Sequence, residues 1–263
     1  MDPKLYSSSL EMNRAVRAGC RFGAKGTHTS RTMMLEDLAA VLIATPSDGQ
    51  RMDYASAIIG DNCLGKRTAS TRRLSCQRMS EIYALDPAVP LFGALRRLWD
   101  QDPGGRPLLA FLCAVARDPL LAATIPAVLP LPVGSEFRRD DMRFALRQTV
   151  GERLSDSILD KVVRNAASSW TQSGHLQGRT FKRRQRVQAT PGAVAYALYI
   201  AHAVGFRGME LFSSGWLGLL DCSPSQGQDL ALEAKRMQLL DLRVAGNVVD
   251  IGFRSLDPTY EGE

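Results

Sequence analysis

Histidine and cysteine are scarce in this chain: it has three histidines and five cysteines among 263 residues. The cysteines are odd in number, scattered and never spaced as C-x-x-C, which predicts reduced thiols in a cytoplasmic protein. No histidine is spaced from a cysteine or from another histidine as zinc ligands are, so no metal site is predicted. His175, in a polar loop, is expected to be exposed, with contact to a phosphate as the alternative.

Long hydrophobic runs and a signal peptide are missing as well. The most apolar segment, residues 107–133, is interrupted by Arg-Asp-Pro at 117–119 and carries further prolines at 126, 130 and 132. Its uncharged stretches are too short and too proline-rich to span a bilayer. The first residues contain no basic region followed by an apolar stretch. We therefore predict two short buried helices in this segment and no association with a membrane.

The sequence also lacks the common catalytic motifs. It contains no P-loop, no G-x-S-x-G elbow, no H-E-x-x-H and no strand-turn-helix dinucleotide fingerprint. Asp140 and Asp141 are adjacent, but neighbours on a helix point about 100° apart and cannot face one substrate as an acid and base pair. They are expected to stabilise a helix N-terminus. We predict a protein that is not an enzyme, with no catalytic residue and no cofactor.

Acidic residues are absent from two long intervals. Residues 62–80 contain five lysines and arginines, and residues 161–209 contain eight, with no aspartate or glutamate in either. The whole chain carries a formal charge of +6, so the positive charge is concentrated in these two segments. Concentrated cations indicate a polyanionic partner. Solvated surface charge is the alternative.

Residues 155–205 look like the organising unit: a helix, a basic loop or β-ribbon, and a second helix. In the first helix, apolar residues recur at helical spacing, and the opposite face carries lysine, arginine and polar side chains. Thr190 and Pro191 are typical of a helix start, and Gly205 of a helix end. The apolar stripe of the first helix is predicted to contain Ile158, Val162, Ala166 and Trp170.

The fold class predicted is mainly α, in two helical parts. Residues 1–31 form an N-terminal tail, residues 32–130 a helical bundle, and residues 135–256 a basic helical domain, with a boundary in the Pro/Gly-rich stretch 129–135. Helices are expected at 35–44, 52–60, 69–84, 91–100, 138–150 and 230–237. Alternating apolar residues at 240–244 and 249–253, around a tight turn at Gly246-Asn247, predict a terminal β-hairpin. The hairpin is either a winged-helix element or a plain cap.

Two segments resemble a known family. Residues 54–73 read YASAIIGDNCLGKRTASTRR, in which an acid-Asn pair, a leucine, a lysine and a Ser/Thr-rich turn lead to Arg-Arg. Residues 108–121 read LLAFLCAVARDPLL, a helix rich in small residues that ends in a polar step before two leucines. The first segment is similar to the N-terminal part of BrxA, the small helical protein of bacteriophage-exclusion (BREX) defence systems, and the second resembles the next helix pair of that family.

The resemblance implies a helical fold like that of the termination factor NusB, without catalysis. It also implies binding of double-stranded DNA with little sequence preference, beside the methyltransferase, ATPase and phosphatase-like BREX components. The chain departs from the family pattern in its longer N-terminal tail and in the density of arginines at 179–186.

Two function classes follow. The first is a DNA-binding accessory protein of phage defence that contacts duplex phosphates through two basic patches. The alternatives are an adaptor that docks an acidic protein partner, or an RNA-binding factor by analogy with NusB. The predicted nucleic-acid contacts are Lys66, Arg67, Arg73, Lys161, Arg164, Arg179, Lys182, Arg183, Arg184 and Arg186.

Overall fold

Helices make up most of the chain in a computed structural model that describes residues 4–23, 25–245 and 248–260. The α-helices are α1 (Met12–Ala18), α2 (Leu35–Ala44), α3 (Arg51–Ile59), α4 (Ala69–Tyr83), α5 (Pro90–Gln101), α6 (Arg106–Arg117), α7 (Pro119–Ala122), α8 (Arg139–Val150), α9 (Asp156–Gln172), α10 (Pro191–Ala203), α11 (Gly215–Gly218) and α12 (Pro224–Arg236). The strands are β1 (Leu176–Gln177), β2 (Arg183–Arg184), β3 (Asp241–Ala245) and β4 (Val248–Gly252). The prediction of a mainly helical protein with a terminal β-hairpin is confirmed.

Capping residues set several helix starts. The Thr190 side chain accepts a hydrogen bond from the backbone of Ala193, with Pro191 at the first position of α10, as predicted. The last helix begins earlier than predicted, at Pro224, because Ser223 and Gln226 form a capping box there.

The helix α10 lies at the centre of the molecule. Every residue from Gly192 to Ala203 is buried, and the helix contacts α5, α6, α11 and α12. Its tyrosine hydroxyls are satisfied internally, since Tyr196 donates to the Leu91 carbonyl at 2.9 Å and Tyr199 to Asp257 at 2.9 Å. This helix is therefore covered on all sides.

The N-terminal residues form a strap rather than a loose tail. We call residues 4–34, apart from residue 24, the N-terminal strap. Its start is fixed to α11, where Gly215 N donates to the Lys4 carbonyl at 2.8 Å. Its middle is held on α6, where Arg21 N donates to the Ala116 carbonyl at 3.0 Å. Its end reaches α9, where Met33 N donates to Ser169 Oγ at 2.8 Å.

The predicted domain boundary, residues 129–135, is joined to strand β2 by backbone hydrogen bonds. Gly134 N donates to the Arg184 carbonyl at 2.8 Å and Arg184 N to the Ser135 carbonyl at 2.9 Å, so this stretch pairs with β2. Buried side chains from both sides of it join one continuous core that runs from Leu5 to Leu256. The division into two domains stays a prediction.

The terminal hairpin is antiparallel, with Leu242 opposite Ile251 and Val244 opposite Val249. Leu242 and Ile251 are buried, whereas Val244 is exposed, which is the alternation that a half-buried strand requires. The predicted turn at Gly246-Asn247 lies outside the described residues. The winged-helix and NusB-like layouts stay predictions.

Among the described residues, no single helix has the length and apolar character needed to cross a membrane. The segment predicted as two short buried helices contains α6 and α7, and a bend of 104° separates residues 103–117 from residues 119–127. The second of these helices, α7, has four residues, and a 3-10 turn follows it at Ile125–Ala127.

Candidate nucleic-acid interface

A short β-ribbon presents the basic loop that the sequence analysis singled out. Strand β1 pairs with β2, with Gln177 opposite Arg183. On its other side, β2 pairs with residues 134–137, where Phe137 N donates to the Lys182 carbonyl at 2.8 Å. We call residues 134–137 and 176–184 the basic ribbon. Three backbone segments thus hold a loop of five residues, 178–182, at the ribbon's end.

Successive residues of β2 point to opposite faces, which decides which arginines reach solvent. Arg183 is exposed and donates to the Gly134 carbonyl at 3.1 Å. In the adjoining loop, Arg179 is exposed, and the ring of Phe181 is 75% exposed. The ribbon therefore offers two accessible guanidinium groups beside an aromatic ring.

Arg184 is not available to a phosphate, contrary to the prediction. Its side chain is only 2% exposed and forms an ion pair with Asp221. Asp221 also accepts a hydrogen bond from Val187 N at 2.9 Å, so the carboxylate joins the ribbon to the segment after α11. Arg186 stays exposed and donates to the Asp221 carbonyl at 3.3 Å.

Lys182 serves partly as a structural clamp. Its ammonium group donates to Thr171 Oγ1 of α9 at 2.8 Å and to the Gly178 carbonyl at 2.9 Å. Burial, and secondarily the charge of Arg139, lowers the pKa of Lys182. The clamp places the basic ribbon against the C-terminal end of α9.

The exposed side of α9 continues this surface, as predicted. Lys161 and Arg164 are exposed. Arg164 and Arg139 line one groove between α8 and α9, of approximately 370 Å³. Two acids line the same groove: Asp160, which is bound by Arg143, and Asp140.

We call the basic ribbon, together with the exposed cations on α9, at the start of α8 and just before α8, the basic face. It brings together five predicted contacts on adjoining elements and adds two arginines that were not predicted, one just before α8 and one at its start. The unpaired acids nearby are Glu136, Asp140 and Asp141, all exposed, so cations outnumber them. The cations of the basic face are Arg138, Arg139, Lys161, Arg164, Arg179, Lys182 and Arg183.

The second predicted patch lies at the start of α4. Arg67 and Arg73 are exposed, but Lys66 forms an ion pair with Asp37 of α2 at 3.1 Å. Arg72 reaches past the helix end to the Ile59 carbonyl at 3.2 Å. This patch therefore offers two fully accessible cations rather than three.

His175 is buried, so neither sequence interpretation of it was right. Its Nε2 lies 2.8 Å from the Leu219 carbonyl and its Nδ1 lies 2.8 Å from Ser173 Oγ, while its ring packs against Phe111 and Trp170. Because the Leu219 carbonyl can only accept, Nε2 carries the proton. Burial lowers the pKa of His175 to about 4, against the opposing effects of the Leu219 hydrogen bond and of Asp221.

We expect acid to destabilise the protein through His175. The unfolded chain takes up a proton near the ordinary pKa of 6.5, and the folded protein only near 4. The contribution of neutral His175 to the free energy of unfolding is therefore fully present above pH 6.5. It falls by about 3 kcal/mol as the pH is lowered to 4. Urea unfolding at a series of pH values, followed by circular dichroism, measures this loss. His175→Gln should flatten the dependence of the unfolding free energy on pH between 6.5 and 4. An unchanged slope in that variant would show that His175 does not cause the loss.

A buried aspartate-histidine-serine array was missed by the sequence analysis. His28 Nδ1 lies 2.8 Å from Asp118 Oδ2, and His28 Nε2 lies 2.8 Å from Ser169 Oγ. Burial alone would raise the pKa of Asp118, but the charge of His28 and hydrogen bonds to the carboxylate lower it. The three residues are separated by 90 and 141 positions, so no spacing in the sequence could reveal them.

The connectivity of this array is that of a hydrolase triad, but its setting is structural. His28 and Ser169 are fully buried and Asp118 is 1% exposed, so a substrate cannot reach the serine oxygen in this conformation. Ser169 Oγ also accepts a hydrogen bond from Met33 N. The array joins the N-terminal strap to α7 and α9.

No protein-family model matches this chain, and a comparison with curated proteins finds no match either. The resemblance to BrxA, and the defence role that it implies, therefore stay predictions. The described residues place no group of three or more histidines, cysteines or carboxylates where it could hold a metal ion.

Proposed function

We propose that the protein binds double-stranded nucleic acid through its basic face, without catalysis of its own. The observation that carries the proposal is the convergence of the basic ribbon and α9. Exposed Arg164, Arg179 and Arg183 lie on elements that hydrogen bonds from Lys182 hold together. Cations on a fixed surface release counterions from successive phosphates, which drives binding with little dependence on sequence.

We further propose that DNA is the ligand and that the protein acts as an accessory component of a phage-defence system. The support for this step is the resemblance of residues 54–73 and 108–121 to BrxA. Neighbouring reading frames that encode a methyltransferase and a large ATPase would support it. Competition between RNA and duplex DNA of equal length separates the DNA-binding proposal from the RNA-binding alternative.

We expect duplex binding to weaken steeply with salt. If about six cations each neutralise a phosphate, the logarithm of the association constant falls against the logarithm of salt concentration with a slope of roughly −5. Fluorescence anisotropy of a labelled 20-base-pair duplex, titrated with the full chain at several salt concentrations, measures the slope. A slope near zero would remove the proposal.

An adaptor for an acidic protein is the second candidate. Phe181 and Val133 are exposed at the basic ribbon, and Phe144 is exposed on α8, at 75%, 61% and 67%. Exposed aromatic residues beside arginines are also typical of protein interfaces. This alternative predicts weak DNA binding by the isolated chain and co-purification with a larger subunit, so a pull-down set beside the anisotropy titration distinguishes the two.

A further inference from the structure

The loop at the end of the basic ribbon is fixed tightly. Gly178 has φ +117°, and a Cβ atom at this position would clash with the Phe181 carbonyl oxygen, so the close approach of the two backbones requires glycine. The Lys182 ammonium group closes the loop on the Gly178 carbonyl and fastens it to Thr171. The loop conformation is therefore set within the protein before any ligand arrives.

This fixed loop holds an aromatic ring out in solvent. Phe181 is 75% exposed, with exposed Arg179 two residues before it and exposed Arg183 two residues after it. A single exposed apolar residue is ordinary on a protein surface. The feature that needs a reason here is that a preorganised loop exposes the ring of Phe181 between two exposed arginines in sequence, although an exposed ring adds little to the stability of the fold.

Aromatic rings flanked by cations are what proteins use to stack on nucleic-acid bases while binding the adjacent phosphates. Inside an intact duplex, both faces of each base are covered by neighbouring base pairs. An unpaired base, at a bulge or a gap, offers a free face that Phe181 could cover. The cations on either side would meanwhile engage the phosphates that flank that base.

We propose that Phe181 stacks on an unpaired base, so that the ligand of the basic face is a duplex interrupted by an unpaired nucleotide rather than a continuous duplex. This inference rests on the proposed function, because the basic face must bind the phosphates around that base. The inference adds a preference for an unpaired nucleotide to a surface that is otherwise expected to bind all duplexes equally well.

The test uses the full chain and three labelled DNAs with the same base pairs, of which the two bulged DNAs also have the same number of phosphates. The first is a continuous duplex, the second carries a single bulged adenine, and the third carries an abasic site at the bulge. We expect the bulged adenine to bind about tenfold more tightly than the abasic bulge. With 2-aminopurine in place of the adenine, binding should quench its fluorescence.

Three variants separate stacking from charge. Phe181→Trp should keep the preference, whereas Phe181→Ala and Phe181→Leu should abolish it by lowering the affinity for the bulged adenine to that for the abasic bulge. Because the ring is exposed, none of them should alter the melting temperature. Equal affinity of the wild type for the two bulges would overturn the inference, while a salt-dependent affinity for the continuous duplex would leave the proposed function standing. Absence of binding to all three DNAs would overturn both, and would favour a protein as the partner of this loop.

Discussion

We expect Asp221→Asn to lower the free energy of unfolding by about 3 kcal/mol. Arg184 is 2% exposed and depends on Asp221 for its countercharge, and loss of one partner leaves a buried charge uncompensated. An asparagine can accept from Arg184 or from Val187 N, but its amide group must then face the other donor. Urea unfolding at pH 7 measures the loss.

The matched control is the same chemical change at an exposed ion pair. Asp156 is 81% exposed and pairs with Arg147, so Asp156→Asn should cost less than about 0.5 kcal/mol. Replacing both members of the buried pair, with Arg184→Met in the Asp221→Asn background, should recover much of the lost stability, since no buried charge remains. An Asp221→Asn variant as stable as Asp156→Asn would show that Arg184 reaches solvent.

The second large effect concerns affinity. Neutralising Arg138, Arg139, Arg179 and Arg183 together to glutamine should weaken duplex binding at least about a hundredfold at 0.1 M salt, because each lost phosphate contact removes the release of about one counterion. Anisotropy with the 20-base-pair duplex measures the change. Arg138, Arg139 and Arg179 have no partner among the described residues and Arg183 has one carbonyl, so the fold should be unaffected.

Two controls accompany this variant. Arg236 on α12 and Arg254 after β4 are exposed and lie outside the basic face, so changing both to glutamine removes charge without touching the proposed contacts. Affinity should then fall no more than a few-fold. Arg67→Gln with Arg73→Gln tests the second patch in the same way. If the distant pair costs as much per charge as the basic face does, binding follows net charge and no particular surface carries it.

Much of the fold was readable from the sequence because it depends on local signals. Thr190 caps α10 as predicted, and Thr68 caps α4 in the same way, since a threonine before a helical pattern satisfies backbone amides in almost any context. The alternating residues around 240–253 formed the expected hairpin. In α9, Val162, Ala166 and Trp170 are buried as predicted, but Ile158 is 36% exposed and Leu159 takes its place. Helical spacing does not decide which of two adjacent apolar residues faces the core.

The errors at the candidate site share one cause, which is that partners distant in sequence decide burial. Arg183 and Arg184 cannot be distinguished in the sequence, but the strand directs Arg184 inward, toward an aspartate 37 residues later. Lys66 is partly neutralised by an ion pair with Asp37, which lies on another helix. His175 stood in a polar loop by sequence but lies between aromatic rings of α6 and α9. In contrast, α10 could have been recognised as fully buried, because apolar residues surround the helix on every side.

The exposed cations follow a simpler rule. Arg179 and Arg183 were predicted from composition alone, and both reach solvent because long charged side chains stay there unless a buried partner compensates them. Arg138 and Arg139 lie outside the two acid-free intervals, so the composition of the sequence does not mark them. Tertiary structure was needed to show that these residues adjoin the basic ribbon.

The salt dependence of duplex binding, measured side by side for the wild type and the variant that lacks Arg138, Arg139, Arg179 and Arg183, tests the central claim most directly. If these four side chains each neutralise a phosphate, the wild-type slope is steeper than that of the variant by about 3.6. Parallel lines for the two proteins would contradict the assignment of the basic face as the nucleic-acid interface.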